Sequence, residues 1–479
     1  MEDPMIQIKN LFNTVISGEW EAIHKIPQSG GDRIYFRIHQ GGQSWIATVS
    51  LNIKENQTFI YFAQHFKAKG LPVPEVLSIN KEGTCYIQED VGTTSLLEVL
   101  EKEGKTDHVF SLFKKSLKSL AELQVKGHQG LDYQKCLTSK LFGNQSIMSD
   151  LLYYKYYFLD SLQYPYDKQA LMNEFELLSD ELASKDFNYF LFRDFQSRNI
   201  MVHNDEVYFI DFQGGMQGGL SYDVASLLWQ AKAELSQEWK DQLLAYYIQE
   251  VNKLLPQALN EAAFRKQYNG FVLLRLLQVL GAYGFRGLFE RKAHFLASIP
   301  LGLNNLKNFL ATTDLKKDTP VFASILQWMV SDEVVARFTP PIASEKTALE
   351  VTIHSFSYKK GIPVDPTDNG GGFVFDMRGI LNPGRFDDYK KLSGLDKPVQ
   401  DFLEQKTKMN VFLNSVWDLV DINVEDYLKR GFASLQINFG CTGGQHRSVF
   451  AAEQTARHLR NKYKVKVNLV HTNKENWVK

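Results

Sequence analysis

The 479-residue sequence contains few cysteines, no long hydrophobic run and no signal-peptide pattern. Three widely spaced cysteines exclude a disulfide framework and a cysteine-ligated zinc site, and fit a reducing compartment; they are Cys85, Cys136 and Cys441. No segment reaches the roughly 18 consecutive apolar residues that a membrane helix needs. An arginine interrupts the best candidate, Phe271–Phe285. We therefore expect a cytoplasmic protein with no membrane partner.

An excess of either charge is also lacking, because 54 Lys and Arg side chains nearly balance 55 Asp and Glu, which gives a net charge of −1. The balance is uneven along the chain: from Lys346 to the end, 20 basic residues stand against 15 acidic ones. A mild positive excess permits an anionic partner for the C-terminal part without requiring one. The length suggests two to four domains at about 100–200 residues each.

The hydrophobic pattern predicts a mixed lobe, a helical lobe and a linker before the C-terminal part. Residues 1–92 are predicted to form strands at Arg33–Ile38, Trp45–Leu51 and Thr84–Glu89 and a helix at Thr58–Lys69. Residues 93–335 are mostly helical, apart from a short β-rich insert at Tyr189–Phe212. Residues 336–348 are predicted to be a linker, because adjacent prolines exclude the interior of both helix and sheet.

Residues 349–479 alternate between strands and helices, which is typical of a small α/β domain. The predicted strands are Leu349–Tyr358, Gly372–Asp376, Ser434–Phe439 and Val465–Val470. The predicted helices are Pro398–Asn414, Val424–Lys429 and Ser448–Tyr463. The expected fold class is therefore an α+β two-lobe domain followed by a small α/β domain.

Three polar side chains in an otherwise apolar β-hairpin have the spacing that phosphoryl transfer needs. Asp194 and Asn199 are separated by four residues, and the apolar strand Val207–Ile210 ends in Asp211. In this arrangement Asp194 orients and deprotonates an attacking hydroxyl, while Asn199 and Asp211 hold Mg²⁺, whose charge offsets that developing on the phosphates. Hard oxygen ligands on short turns suit magnesium. One aspartate alone would more often be a solvated turn residue, but the three together predict a catalytic residue and two metal ligands.

The surrounding sequence resembles the aminoglycoside-phosphotransferase-like kinases, which have the protein-kinase fold and phosphorylate small molecules. Within them, Ile210–Gln213 and Gly219–Leu228 resemble the anomeric sugar kinases of bacterial cell-wall recycling, which phosphorylate C1 of N-acetylmuramate and N-acetylglucosamine. The resemblance implies a two-lobe protein-kinase-like domain, ATP and Mg²⁺ as cofactors and a small sugar as substrate. Asp150 and Tyr154 lie where contacts with the acceptor would be expected, although tyrosine-rich stretches more often belong to a core.

The resemblance also implies nucleotide-binding segments in the N-terminal lobe. The residues at the position of the family's phosphate-covering hairpin are Gly30, Gly31, Asp32 and Arg33. Glycine N–H groups can approach phosphate closely because no Cβ intervenes. Glu89 and Val91 belong to the segment that joins the lobes, whose backbone should meet adenine.

The sequence departs from the family at two catalytic positions. Phe192 replaces the usual histidine of the catalytic loop, and the strand Trp45–Ser50 lacks the lysine that grips the phosphates. Arg33 or Arg37 is a candidate to supply that positive charge. Asp223 is predicted to be structural, tying the helical lobe to the catalytic loop.

In the C-terminal part, the strand Ser434–Phe439 runs into the loop Gly440–Ser448 and then a helix. Glycines, a hydroxyl and two basic side chains at a helix N-terminus predict an anion site, because unpaired N–H groups and the helix dipole converge there. The run Leu349–His471 resembles the C-terminal domain of the RapZ-type RNase adapters, which senses an amino-sugar phosphate and binds RNA. The resemblance implies a sugar-phosphate site formed by Lys359, Asp376, Arg378, Thr442, Gly443, Gly444, His446 and Arg447.

Here too the sequence departs from its family. Gly384 stands where the family often has histidine, and the basic tail that contacts RNA is thin. Lys462, Lys464 and Lys466 partly fill that role if they share one face of a strand. RNA is therefore a less favoured partner than an amino-sugar phosphate.

Two alternatives remain open from the sequence. Cys441 and Arg447 are spaced Cys-x₅-Arg and precede Ser448, which is the arrangement of cysteine phosphatases, but no general-acid loop is evident. The other alternative is a non-catalytic adapter that binds an amino-sugar phosphate and RNA. The leading hypothesis is an ATP-dependent sugar kinase with a fused sugar-phosphate-sensing domain.

Overall fold

The structure, a computed structural model, divides into two compact units, Met1–Ser331 and Asp332–Lys479. It describes residues 4–16, 20–26, 33–183, 188–313, 315, 319–367 and 372–478. The predicted fold class is confirmed: the first unit has a mixed lobe and a helical lobe, and the second is an α/β domain.

The first lobe is a five-stranded antiparallel sheet in the order β1-β2-β3-β5-β4, packed against two helices. The strands are β1 (Ala22–Ile26), β2 (Ile34–Gln40), β3 (Gln43–Val49), β4 (Val76–Ile79) and β5 (Cys85–Glu89), and the helices are α1 (Pro4–Val15) and α2 (Ile53–Ala68). Apolar residues of α1 and of β2, β3 and β5 form one buried cluster, in which Phe12 and Ile38 are fully buried. Hydrophobic burial therefore fixes α1, which the sequence pattern did not predict, against the sheet.

The helix α2 begins five residues before its predicted start at Thr58. Asn52 caps it: the side-chain oxygen of Asn52 accepts a hydrogen bond from the Glu55 N–H at 3.3 Å, and its amide donates to the Glu55 carboxylate at 3.1 Å. The first of these bonds satisfies one N–H group that the first helical turn leaves unpaired, and the second joins the two side chains. The earlier start matters because it places Glu55 on the helix.

The second lobe of the first unit is mostly helical and carries two small sheets. Its helices are α3 (Leu96–Glu103), α4 (Asp107–His128), α5 (Asn144–Tyr154), α6 (Lys168–Leu182), α7 (Ser221–Leu228), α8 (Gln237–Asn252), α9 (Glu261–Tyr283), α10 (Ala293–Leu296), α11 (Ile299–Leu310) and α12 (Pro320–Met329). Its strands are β6 (Thr94–Ser95), β7 (Asn188–Leu191), β8 (Ile200–His203), β9 (Glu206–Phe209) and β10 (Met216–Gly219). The strands β6, β8 and β9 form one antiparallel sheet, and β7 pairs with β10.

Only one described helix is long and apolar enough to cross a membrane: α9 with its π-helical continuation, Glu261–Phe289. Length and composition alone give that result, and 61% of the apolar window is buried within the protein. Phe271, Leu274 and Leu277 lie in the core of the helical lobe. Their burial is that of a central packing helix.

The second unit is a parallel sheet in the order β12-β13-β11-β14 with helices in the connections. Its strands are β11 (Glu350–Ser357), β12 (Phe373–Asp376), β13 (Ser434–Cys441) and β14 (Lys466–His471), and its helices are α13 (Asp332–Phe338), α14 (Lys397–Lys406), α15 (Met409–Arg430) and α16 (Arg447–Tyr463). The predicted helices Pro398–Asn414 and Val424–Lys429 were wrong in extent. The helical conformation is interrupted at Thr407. The Thr407 hydroxyl accepts a hydrogen bond from the Met409 N–H, where α15 begins.

Candidate functional site

The catalytic loop that follows β7 is tied to the turn that follows β9. The side-chain amide of Asn199 donates to the carbonyl oxygen of Asp194 at 2.9 Å, and the carbonyl oxygen of Asn199 accepts from the Ile210 N–H at 3.1 Å. The Asp194 side chain is 47% exposed, whereas Asn199 is largely buried. The structure therefore brings Asp194, Asn199 and the residue after Ile210 to one place, with the carboxylate of Asp194 accessible.

Asp223, at the start of α7, binds the backbone of the loop that contains Asp194. Its carboxylate accepts hydrogen bonds from the Phe192 N–H at 2.8 Å, the Arg193 N–H at 3.0 Å and the Gln124 amide at 3.0 Å. Burial raises the pKa of Asp223 to about 7, and these hydrogen bonds oppose the rise. Arg193 has a left-handed backbone with φ of 83°, a conformation that a non-glycine residue keeps only when its surroundings impose it. Asp223 thus has the structural position that the sequence predicted.

Asp211 also has a left-handed backbone, with φ of 67°. Its carboxylate accepts a hydrogen bond from the Gln213 side-chain amide at 2.7 Å. The next residue, Phe212, stacks on Phe59 of α2 with ring centroids 4.7 Å apart. The position of Asp211 is therefore set by aromatic packing against the first lobe as well as by its own turn.

The donors at this place fit a magnesium ion. Because the Asn199 amide nitrogen is engaged with the Asp194 carbonyl oxygen, its amide oxygen would be the ligating atom, and Asp211 would add a carboxylate. Within the described ranges no group of three or more His, Cys, Asp or Glu side chains could hold a metal ion. Mg²⁺ does not require such a group, since it is usually held by one or two protein oxygens together with phosphates and water.

On the nucleotide side, the predicted residues Gly30, Gly31 and Asp32 lie outside the described residues. Arg33 is buried just before β2 and forms an ion pair with Glu55 of α2. Glu55 in turn accepts a weak hydrogen bond from the Gln213 side chain at 3.4 Å. Side-chain contacts therefore connect Arg33, just before β2, through Glu55 of α2 to Gln213 of the Asp211 turn.

The segment between the lobes is anchored by Asp90. Its carboxylate accepts from the guanidinium of Arg37 at 2.6 and 3.2 Å and from the Ser44 hydroxyl at 2.8 Å. The side chain of Glu89 pairs with Lys67 at 2.7 Å, and Val91 is buried. Arg37 is thus committed to this segment, which leaves Arg33 as the better placed of the two candidate arginines.

On the acceptor side, a buried network lies beside the catalytic loop. Arg193 binds both carboxylate oxygens of Asp150, at 2.7 and 2.8 Å, and also contacts the hydroxyl of Tyr222. Arg275 of α9 donates to the same hydroxyl at 3.0 Å and lies 3.9 Å from Asp194 Oδ1. Burial opposes the charge of Arg193, but Tyr222 and Asp150 hold its pKa above the usual value.

The two residues that the sequence suggested for acceptor contacts have structural partners. Asp150 is the ion-pair partner of Arg193, and Tyr154 is fully buried with its hydroxyl donating to the sulfur of Met329 at 2.8 Å. Arg275 and Glu55 were missed by the sequence interpretation. Glu55 follows the helix cap at Asn52 by three residues, a signal that was readable. Arg275 lies within an apolar helix and carries no motif.

In the second unit, the predicted sugar-phosphate residues follow three neighbouring parallel strands. Lys359 comes after β11, Asp376 and Arg378 lie at the end of β12, and Thr442–Arg447 follow β13. The carboxyl ends of parallel strands are the usual binding edge of an α/β sheet. Lys359, Thr442 and Gly443 are exposed at this edge.

Several of these side chains already have protein partners. Arg378 pairs with Asp376 at 2.7 Å. Arg447 is buried and donates to the carbonyl oxygens of Arg378 and Ile380 at 3.1 and 2.8 Å. His446 hydrogen-bonds the carbonyl oxygen of Tyr389 at 2.9 Å, and burial lowers its pKa. These two basic residues thus shape the loop, whereas Lys359, Thr442 and Gly443 are exposed.

Two glycines explain local features of this loop. A side chain at Gly384 would place its Cβ 2.9 Å from the imidazole of His446, so a histidine there would require that ring to shift. Gly444 has a left-handed backbone with φ of 66°, and its N–H donates to the sulfur of Cys441 at 3.2 Å. The loop therefore curls over Cys441, whose thiol is buried beside the Ser448 hydroxyl at 3.1 Å. Because this thiol is buried and engaged with Gly444 and Ser448, we do not propose a phosphatase.

The lysines considered for RNA binding do not share the face of a strand. Lys462 lies in the last turn of α16 and pairs with Asp421 at 2.8 Å. Lys464 is the left-handed residue that ends this helix, and only Lys466 belongs to β14. The expected lysine face was therefore wrong, because Lys462 belongs to the helix, Lys464 to the turn that follows it and Lys466 to the strand.

Comparison with known proteins finds one matching family model in each unit. The family model described as the phosphotransferase enzyme family matches residues 23–259, and the one described as the RapZ C-terminal domain matches residues 349–475. The first unit thus resembles the phosphotransferase enzyme family and the second resembles the RapZ C-terminal domain, which confirms both predicted resemblances at the family level.

Curated relatives cover only part of the chain. A nucleotide-binding protein of Shewanella halifaxensis is 38% identical over 120 residues, which is 25% of this chain and 40% of that protein. A nucleotide-binding protein of Endomicrobium trichonymphae is 38% identical over 28% of this chain and 46% of that protein. One of Bacillus cereus is 34% identical over 37% of this chain and 59% of that protein. The chain therefore spans between 40% and 59% of the length of these relatives.

Solved structures similar to the chain include two kinases. The aminoglycoside phosphotransferase APH(4)-Ia is 14% identical with a TM-score of 0.43, covering 65% of this chain and 98% of that one. The amicoumacin kinase hAmiN, in complex with AMP-PNP, Ca²⁺ and amicoumacin, is 13% identical with a TM-score of 0.43, covering 70% of this chain and 94% of that one.

Proposed function

We propose that the first unit is an ATP-dependent kinase that phosphorylates a hydroxyl of a small sugar. The observation that carries this proposal is the joining of the Asp194 loop to the Asp211 turn through Asn199. In the proposed mechanism Asp194 orients the attacking hydroxyl and accepts its proton. Asn199 and Asp211 would hold Mg²⁺, which supplies charge stabilisation for the phosphates when bound. The remaining work of the protein is to position these groups.

The acceptor we propose is an N-acetylated amino sugar, phosphorylated at C1. This choice is supported by the resemblance of Ile210–Gln213 and Gly219–Leu228 to the anomeric sugar kinases. The test is acceptor-dependent ADP formation with N-acetylmuramate, N-acetylglucosamine and a panel of neutral sugars and aminoglycosides, followed by mass spectrometry of the product. Wild-type protein should form a sugar monophosphate with at least one N-acetylated sugar. ADP formation that no acceptor stimulates would instead favour the adapter alternative.

We propose that Arg33 takes the place of the strand lysine that contacts the nucleotide phosphates. Arg33→Met should lower kcat/KM for ATP by about 30–100-fold, because a charged hydrogen bond to phosphate contributes about 2–3 kcal/mol. Arg33→Lys should recover part of the loss, since it keeps the charge. Steady-state kinetics with ATP as the varied substrate measures both. Lys25→Met on the neighbouring strand β1 is an exposed control that should match wild type. Equal kcat/KM values for ATP in Arg33→Met and wild type would show that Arg33 does not contact the nucleotide.

We propose that the carboxyl edge of the second-unit sheet binds an amino-sugar phosphate, with Lys359 and the backbone N–H groups at Thr442 and Gly443 as anion ligands. Lys359→Ala should weaken binding of glucosamine 6-phosphate about tenfold, the cost of one charge-assisted hydrogen bond. Isothermal titration calorimetry measures this, with Lys406→Ala at the exposed end of α14 as the matched control. Equal affinities for the two variants would contradict the assignment of Lys359. RNA as a partner of this unit stays a prediction.

A further inference from the structure

We infer that Arg275 sets the charge preference of the acceptor site: it neutralises Asp194 and so favours a sugar whose substituent beside the reacting hydroxyl is uncharged over one bearing an ammonium. The inference rests on the proposed kinase function and concerns the same site. It assigns a specificity-determining positioning role to a residue without a motif.

The guanidinium of Arg275 is held in a fixed place. Arg275 lies in the middle of α9 and is 3% exposed. One of its nitrogens donates to the Tyr222 hydroxyl at 3.0 Å and to the Gln278 side-chain oxygen at 2.7 Å. Another lies 3.9 Å from Asp194 Oδ1. Its positive charge therefore cannot swing away from the base when an acceptor enters.

Three described carboxylates around this base are matched by a cation or a set of donors, and the fourth, Asp211, accepts from the Gln213 amide and would be neutralised by the Mg²⁺ that it is proposed to hold. Asp194 has Arg275, and Asp150 has both guanidinium nitrogens of Arg193. Asp223 lies behind the loop, where backbone N–H groups bind it. An ammonium group entering beside Asp194 consequently meets no surplus negative charge. A buried polycation-binding site would need one.

The size of the effect follows from Coulomb's law. An acceptor hydroxyl must lie within about 3 Å of Asp194, so a substituent on the neighbouring carbon lies roughly 7 Å from the guanidinium. Adding or removing one unit positive charge at that separation changes the relative use of an ammonium-bearing acceptor by about tenfold or more at the effective dielectric of a partly exposed site. Glucosamine and N-acetylglucosamine differ only in this substituent, beside C1, and form a matched pair of probes.

The experiment compares kcat/KM for N-acetylglucosamine and glucosamine below neutral pH, where the free amine is protonated. Wild type should prefer N-acetylglucosamine. In Arg275→Gln the ratio should move about tenfold towards glucosamine, because the amine then meets an unopposed Asp194. Arg275→Lys, which keeps the charge, should retain most of the preference. The KM for ATP should stay unchanged in both variants, which separates this role from a general loss of structure.

A second variant keeps the test independent of the folding of Arg275→Gln. Gln278→Glu is nearly isosteric and gives Arg275 a carboxylate partner at the position where it now has an amide oxygen. It should shift the ratio in the same direction. The control is Arg265→Gln on the same helix, which removes an exposed arginine paired with Glu261 and should leave the ratio as in wild type.

The outcomes are distinct. An unchanged ratio in Gln278→Glu, or in folded Arg275→Gln, overturns the assignment of Arg275 while leaving the kinase function intact. If wild type phosphorylates neither sugar nor any member of the acceptor panel, the proposed function fails and the inference fails with it.

Discussion

Asp194→Asn should lower the rate of sugar phosphorylation by about 10²–10⁴-fold, the range expected when a general base is removed. The amide of asparagine has the same shape but cannot accept the hydroxyl proton. The loop itself should persist, because Asn199 binds the backbone carbonyl of residue 194 and not its side chain. ATP affinity, measured by calorimetry, should therefore change little while kcat falls. A fall in kcat with unchanged ATP affinity distinguishes the loss of a general base from the disruption of the whole site.

The matched control is Asp205→Asn, at the tip of the hairpin between β8 and β9. Asp205 is exposed and has a left-handed backbone with φ of 60°, which asparagine adopts as readily as aspartate. This variant should keep wild-type turnover. If Asp194→Asn retains more than about a tenth of the wild-type rate, Asp194 is not the base, and proton transfer to solvent or phosphate oxygen must replace it.

The sequence was sufficient for the parts of the site that lie close together along the chain. Asp194, Asn199 and Asp211 are separated by one hairpin, so spacing alone indicated that they would meet. The same holds for the loop after β13, where strand, glycines and helix follow without interruption. Short-range patterns of this kind are read directly because the local backbone leaves few alternatives.

The groups that support the site were harder to predict, because they come from distant segments. Arg275 is 81 residues from Asp194 along the chain and lies in a helix whose pattern indicates only a core. Glu55 was not predicted because the first turn of α2 has little hydrophobic periodicity, although the sequence shows Asn52 as a possible cap of this helix. Residues brought together by tertiary packing leave no local trace when each one alone resembles an ordinary surface or core residue.

The anion loop shows a different limit of sequence interpretation. The basic pair His446 and Arg447 suggested ligands, since positive charge at a helix N-terminus attracts anions. In the structure both side chains bind backbone carbonyls, which satisfies groups that the turns after β12 would otherwise leave unpaired. A motif gives the residue type but not whether its side chain faces the ligand or the neighbouring loop.

Asp223→Ala should lower the free energy of unfolding of the first unit by about 3–5 kcal/mol, a large share of a typical 5–15 kcal/mol. The alanine leaves the buried N–H groups of Phe192 and Arg193 and the amide of Gln124 without their acceptor. Each unpaired buried donor costs about 1–3 kcal/mol. Thermal or urea unfolding followed by circular dichroism measures the change, with the exposed Asp241→Ala on α8 as the control.

The same variant links stability to catalysis, because the Asp223 carboxylate accepts hydrogen bonds from the Phe192 and Arg193 N–H groups and so holds Arg193 in its left-handed conformation. Without them Arg193 should relax, the Asp150 and Tyr222 contacts should loosen and Asp194 should lose its orientation. Asp223→Asn retains an acceptor oxygen and should lie between wild type and Asp223→Ala in both stability and turnover. A stable Asp223→Ala with normal turnover would show that the aromatic packing of Phe192 maintains the loop conformation without the buried carboxylate.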